Sequence, residues 1–125
     1  MGCDIHGWVE VKTSQGWVAV KPLKDCSRNY RRFTNLAGVR DYDNCSNVKP
    51  LGIPNDVSIT TRYDIDNWGI DGHSHSYLPL ERAANIFLHS GEEPSDYEKK
   101  HPESAFFDYE EEDVQKARLV FWFDN

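Results

Sequence analysis

The sequence predicts a single α+β domain over residues 1–125, an antiparallel β-sheet built from an N-terminal hairpin and a C-terminal strand and packed by two or three helices. Three observations predict it. The run CDIHGWVEV alternates apolar and polar residues almost from the first position. The ending RLVFWFDN is apolar on both of its alternating faces, as a central strand between covering layers would be. Between them lie stretches of helical periodicity with no repeating strand-helix-strand order, which excludes a parallel α/β sheet. A chain of 125 residues can bury most of its apolar surface without disulfides or a structural metal.

In the first run, Cys3, Ile5, Gly7, Val9 and Val11 share one face and Asp4, His6, Trp8 and Glu10 the other. The turn residues Thr13 to Gly16 and the strand-like WVAVKPL complete a hairpin over residues 3 to 21, which Pro22 ends. Ser27 is placed to cap a helix in RNYRRFTNLAG, with Tyr30, Phe33, Leu36 and Ala37 as its apolar stripe and Gly38 as its stop. From Val39 to Asn55 the composition is that of a loop. DVSITTRYDI predicts a short helix capped by Asp56 or Ser58, against the β-branched content of the segment. HSHSYL predicts a brief strand, and LPLERAANIFLHSG a helix with Leu80, Ala83, Ala84, Phe87 and Leu88 on its inner face and Gly91 at its stop. The charged, proline-containing EEPSDYEKKHPES reads as a mobile loop. If the two terminal strands pair, Asp4 and His6 fall near Arg118 or Asp124.

Composition narrows the function classes. No apolar run reaches the roughly 20 residues of a membrane helix, and no basic-then-apolar leader precedes the first strand, so a cytoplasmic protein with no membrane partner is expected. His6 stands where the N-myristoylation pattern needs Ser or Thr. Cys3, Cys26 and Cys45 are odd in number and form no C-x-x-C pair, which predicts reduced thiols rather than a disulfide framework. The net charge of -7 is unevenly spread, with eight basic against five acidic residues through Lys49 and six against sixteen thereafter. Such an acidic chain is a poor general binder of duplex nucleic acid.

Two constellations carry chemistry. Asp4 and His6 form D-x-H, and His73 with His75 forms H-x-H; on a regular strand each pair points one way, so each would present two ligands or two acid/base groups together. Neutral imidazoles and Asp4 would suit zinc, iron or manganese, although the spacing matches no defined metal signature and the cofactor is unknown. A metal-free site would use one histidine as base and another as acid, with Asp4 orienting its partner. The plain alternative is that these polar groups only satisfy neighbouring loops. The second constellation is Lys24, Arg28, Tyr30, Arg31, Arg32 and Arg40 with Trp8, Trp17 and Trp68. Guanidinium groups hold phosphate and aromatic faces stack on bases, so this set would hold a nucleotide, or else solvate a helix and pair with the acidic half.

The pieces MGCDIH, RNYRRFTNLAGVR, LGIPNDVS, WGIDGHSHSYLPL and RLVFWFDN, in that order, resemble a family of small proteins encoded by tailed bacteriophages and prophages, generally of unassigned function. The resemblance spans nearly the whole chain. It implies a compact accessory protein acting inside an infected bacterial cell, and small phage proteins of many folds counter bacterial immunity by cleaving or sequestering nucleotide second messengers. Joined to the histidines and arginines, this context predicts a phosphodiesterase-like hydrolase acting on a cyclic or ADP-ribose-type nucleotide. Asp4, His6, His73 and His75 would do the acid/base work, Arg28, Arg32 or Arg40 would hold phosphate, and Trp68 or Tyr77 would stack on a base. A non-catalytic sponge for the same nucleotide stays open, as does an acidic inhibitor of a host nucleic-acid-binding protein through YEEED. A homo-oligomer that builds its pocket between subunits is a further option.

Overall fold

The computed structural model describes residues 2–23, 30–39, 48–88, 100 and 116–124. Among these, strands β1 (Asp4–Thr13), β2 (Gly16–Pro22), β3 (Gly72–Pro79) and β4 (Ala117–Asp124) form one antiparallel sheet in the order β2-β1-β4-β3. Helices α1 (Tyr30–Ala37), α2 (Ile59–Trp68) and α3 (Leu80–Leu88) complete an α+β architecture. The two terminal strands pair, with Asp4 opposite Asp124 and His6 opposite Trp122. No described helix is long and apolar enough to cross a membrane.

β4 lies between β1 and β3, and every residue from Ala117 to Phe123 is buried. One of its faces, Leu119, Phe121 and Phe123, joins Val9, Cys3 and the inner stripes of α1 and α3 in the main core. Phe33 of α1 meets Phe123 edge-on at 5.1 Å between ring centroids. Each of these large side chains contributes roughly 1.5–3 kcal/mol by leaving water, so this layer holds the sheet to its helices. α1 stops where Gly38 takes φ +73°, a left-handed conformation that suits glycine, and its N–H donates to Thr34 O at 2.8 Å. Gly7 sits where a Cβ would come 2.5 Å from Val120 O, so β1 and β4 approach too closely there for any side chain.

The other face of β4, Arg118, Val120, Trp122 and Asp124, is covered by α2. Ser58 caps this helix, its Oγ accepting from Thr61 N at 3.2 Å. The β-branched residues are tolerated because tertiary contacts outweigh their weak helix propensity. Glu10 of β1, wholly buried, accepts from Ser58 N at 3.0 Å and Thr61 Oγ1 at 2.8 Å, setting a carboxylate against the positive end of the helix. Arg118 donates to the same carboxylate, from Nε at 2.8 Å and Nη2 at 2.7 Å, and to Asp56 Oδ1 at 3.0 Å. Its guanidinium lies 4.0 Å from the Trp17 ring and 5.8 Å from the Tyr77 ring. This buried ion pair fixes the start of α2, and a further bond from Trp8 Nε1 to Asp64 at 2.9 Å fixes its middle.

The expected cap Ser27, the helix stop Gly91, the acidic YEEED tract, Lys24, Arg28, Arg40, Cys26 and Cys45 lie outside the described residues, as do 40–47 of the long loop and, apart from Lys100, the segment 92–104.

Candidate functional site: imidazoles around Trp122

The site grows from one residue of the central strand. Trp122 is fully buried on the α2 face, and the register sets His6 of β1 directly across from it. On its other side, β3 departs from regular pairing. His73 opposes Phe123 and Ser76 opposes Phe121, so Ser74 and His75 together face the single residue Trp122. This β-bulge holds Ser74 at φ +56°, uncommon for a residue with a side chain.

The bulge corrects the expectation that His73 and His75 point the same way. One extra residue reverses the alternation, so His75 shares the face of Trp122 while His73 shares that of Phe123. The ring contacts agree: His75 lies parallel to Trp122 at 6.2 Å, and His73 lies 6.3 Å from Phe123. His73 Nδ1 is 2.9 Å from Ser74 Oγ.

On the α2 face, three strands thus contribute a row, His6, Trp122 and His75. The His6 ring is 6.4 Å from Trp122 on one side and stacks on Trp68 at 4.2 Å on the other. Trp68 is the last residue of α2, and Gly69 turns the chain with φ 56° and ψ -132° into the exposed turn Gly69–Asp71. Gly72 lets this layer close: a Cβ there would lie 3.3 Å from both Trp122 Cδ1 and Trp68 Cβ, and 3.6 Å from His75 Nε2. Asp124 Oδ1 accepts from Asp4 N at 3.2 Å and sits 3.5 Å from His6 Nε2, an ion-pair distance without hydrogen-bond geometry. Asp4 shares the strand face of His6 and meets Asp124 through its backbone N–H, and Asp124 rather than Arg118 is the neighbour the strand pairing supplies.

Among the described residues, four buried ring nitrogens in this region have no hydrogen-bond partner: His6 Nε2, His73 Nε2, His75 Nε2 and Trp122 Nε1. Buried polar atoms are normally satisfied, and each unsatisfied one costs about 1–3 kcal/mol. Burial holds the His75 imidazole below its usual pKa, with the charges of His73 and Arg62 acting in the same direction. Among the described residues, no three His, Cys, Asp or Glu side chains are arranged to hold a metal ion. With His73 on the opposite face from His6 and His75, the histidines form no common coordination sphere.

Protein-family models, curated proteins and solved structures give no match to this chain.

Of the other expected site residues, Arg32 is not brought to the imidazoles. It sits on the α1/α3 side, donating from Nη2 to Phe87 O at 3.0 Å and lying 4.3 Å from the Phe87 ring. Tyr77 belongs to the Arg118 cluster two positions along β3. Trp68 is at the site, but its face is taken by His6. Arg28 and Arg40 lie outside the described residues. Sequence reasoning missed Trp122, which reads as one more apolar residue of RLVFWFDN, and Arg62, the arginine whose charge reaches His75. Neither carries a local signal, because both come to the site only through strand order and the placement of α2.

Proposed function

We propose that this chain binds a nucleotide second messenger of the cyclic or ADP-ribose type and hydrolyses a phosphoester in it, as a phage counter-defence protein. The observation that carries the proposal is the set of unpartnered ring nitrogens on the α2 face: His6 Nε2, His75 Nε2 and Trp122 Nε1. A nucleotide offers what they lack, phosphate oxygens to accept from an indole N–H and an imidazole N–H, and a hydroxyl or water to donate to a neutral imidazole.

The roles divide by environment. His75, kept neutral by burial, His73 and Arg62, takes a proton from the attacking water. His6, whose Nε2 lies 3.5 Å from Asp124 Oδ1 without a hydrogen bond to it, gives a proton to the leaving oxygen as the P–O bond breaks. Water adds across the bond, giving one phosphate and one alcohol, and the two imidazoles exchange protons with solvent to reset. The two residues lie two strand spacings apart, roughly 10 Å at the backbone, with Trp122 Nε1 between them to hold a phosphate oxygen. These nitrogens are shielded in the structure, so entry requires Trp68 to leave His6, and Gly69 provides the joint.

Incubating the purified protein with a panel of cyclic and ADP-ribose-type nucleotides and following each by phosphorus NMR tests the reading. Cleavage of one member, lost in His75→Gln, is expected. A panel left chemically intact overturns hydrolysis. If one nucleotide is then recovered whole from the heat-denatured protein, the chain is a sponge for it.

A further inference from the structure

A helix that packs one face on a sheet ordinarily gives polar residues to the opposite face. α2 does not. Its inner face is Thr61, Ile65 and Trp68, at i, i+4 and i+7; half a turn away, Ile59 and Tyr63, at i and i+4, form a second stripe, and Ile70 follows on the turn beyond the break at Gly69. These three are 89%, 70% and 100% exposed. One flank of the stripe carries Arg62 and Asp66, both exposed and neither in an ion pair with a described residue.

We propose that the outer stripe of α2 is a twofold interface with a second copy of this chain, the two α2 helices packing antiparallel. Self-complementarity favours that occupant. In an antiparallel pair related by a twofold axis, like flanks face each other in opposite directions. With the axis near Asp64, Arg62 of each copy meets Asp66 of the other, so the flank makes two ion pairs. The same register sets Ile59 of one copy across from the exposed Gly69–Asp71 turn of the other, with the two Tyr63 rings beside the axis. A parallel arrangement would instead leave each arginine facing the wrong flank. The helix is about 15 Å long, so the interface is small and the dimer is a weak, concentration-dependent one.

Sedimentation equilibrium of the full chain across a wide concentration range tests this. The wild type is expected to shift from monomer to dimer, and Tyr63→Lys, a change at an exposed position that leaves the circular dichroism spectrum and thermal midpoint intact, to remain monomeric. Arg62→Asp and Asp66→Arg should each weaken the dimer at least about tenfold, and the double variant should restore it, because the swapped pairs again match. A wild type that is monomeric throughout overturns the proposal. So does a Tyr63→Lys variant that dimerises like the wild type, or a double variant no better than the two single ones.

Discussion

His6 stacks on Trp68 with ring centroids 4.2 Å apart, joining the first strand of the chain to the last residue of α2. The contact closes the α2 face over the unpartnered nitrogens and makes the indole both a cover and a support. Trp68→Ala is expected to lower stability, by less than the roughly 3–5 kcal/mol of a fully buried aromatic because Trp68 is half-buried. Trp68→Phe should retain most of it. Urea unfolding midpoints of the two variants check the contrast, and equal losses would show that the ring stacking contributes little.

The buried pair of Glu10 and Arg118 should tolerate no single deletion. Arg118→Met leaves a carboxylate in the interior with only Ser58 and Thr61 as donors, and a loss of about 3–5 kcal/mol is expected by equilibrium unfolding. Glu10→Gln, which keeps the shape and removes the charge, should also destabilise because Arg118 then loses its buried counter-charge. A change below about 1 kcal/mol in both variants would contradict the place given to this pair.

Stability should fall as the solution is acidified, in two stages whose signs follow from the pKa shifts. The folded-state pKa of His75 lies below its ordinary 6.5, so between 6.5 and that lower value the unfolded chain takes up a proton that the folded chain does not, and stability drops as pH decreases. Asp56, held below its ordinary 3.8 by the hydrogen bond from Arg118, acts in the same sense at lower pH, stabilising above 3.8 and losing that contribution as pH falls through its folded value. His75→Gln should remove the first stage and Asp56→Asn the second, in urea unfolding measured across the pH range. A first stage unchanged in His75→Gln would assign it to another group.

Gly7→Ala probes how closely β1 and β4 approach. The added methyl would meet Val120 O at 2.5 Å and Phe121 Cβ at 3.1 Å, both fixed in the core strand. Overpacking of this kind costs about 1–3 kcal/mol, visible as a lowered thermal midpoint with native-like circular dichroism. A midpoint matching the wild type would show that the strands separate easily.

The fold was legible where a residue pattern repeats. Alternation in CDIHGWVEV and the doubly apolar RLVFWFDN were enough to anticipate both terminal strands and the central place of β4, while their pairing stood only as a condition. The site was only half legible. Asp4, His6, His75 and Trp68 share one face, but a single extra residue at Ser74 carries His73 to the other, and a bulge leaves no periodic trace to read beforehand. Trp122 was hidden inside an apolar run, where its indole N–H does not show. Arg32 has the composition of a phosphate ligand, yet its position beside Phe87 follows from how α1 meets α3, a tertiary fact.

In the proposed hydrolysis, His6 and His75, from strands on either side of Trp122, act on one nucleotide. Side-chain nitrogen-15 NMR of selectively labelled histidine, recorded while a nucleotide from the active panel is added, tests it most directly. The Nε2 resonances of both His6 and His75 are expected to move together and saturate at the same nucleotide concentration. Movement of only one, or of neither while the nucleotide still binds, would contradict it.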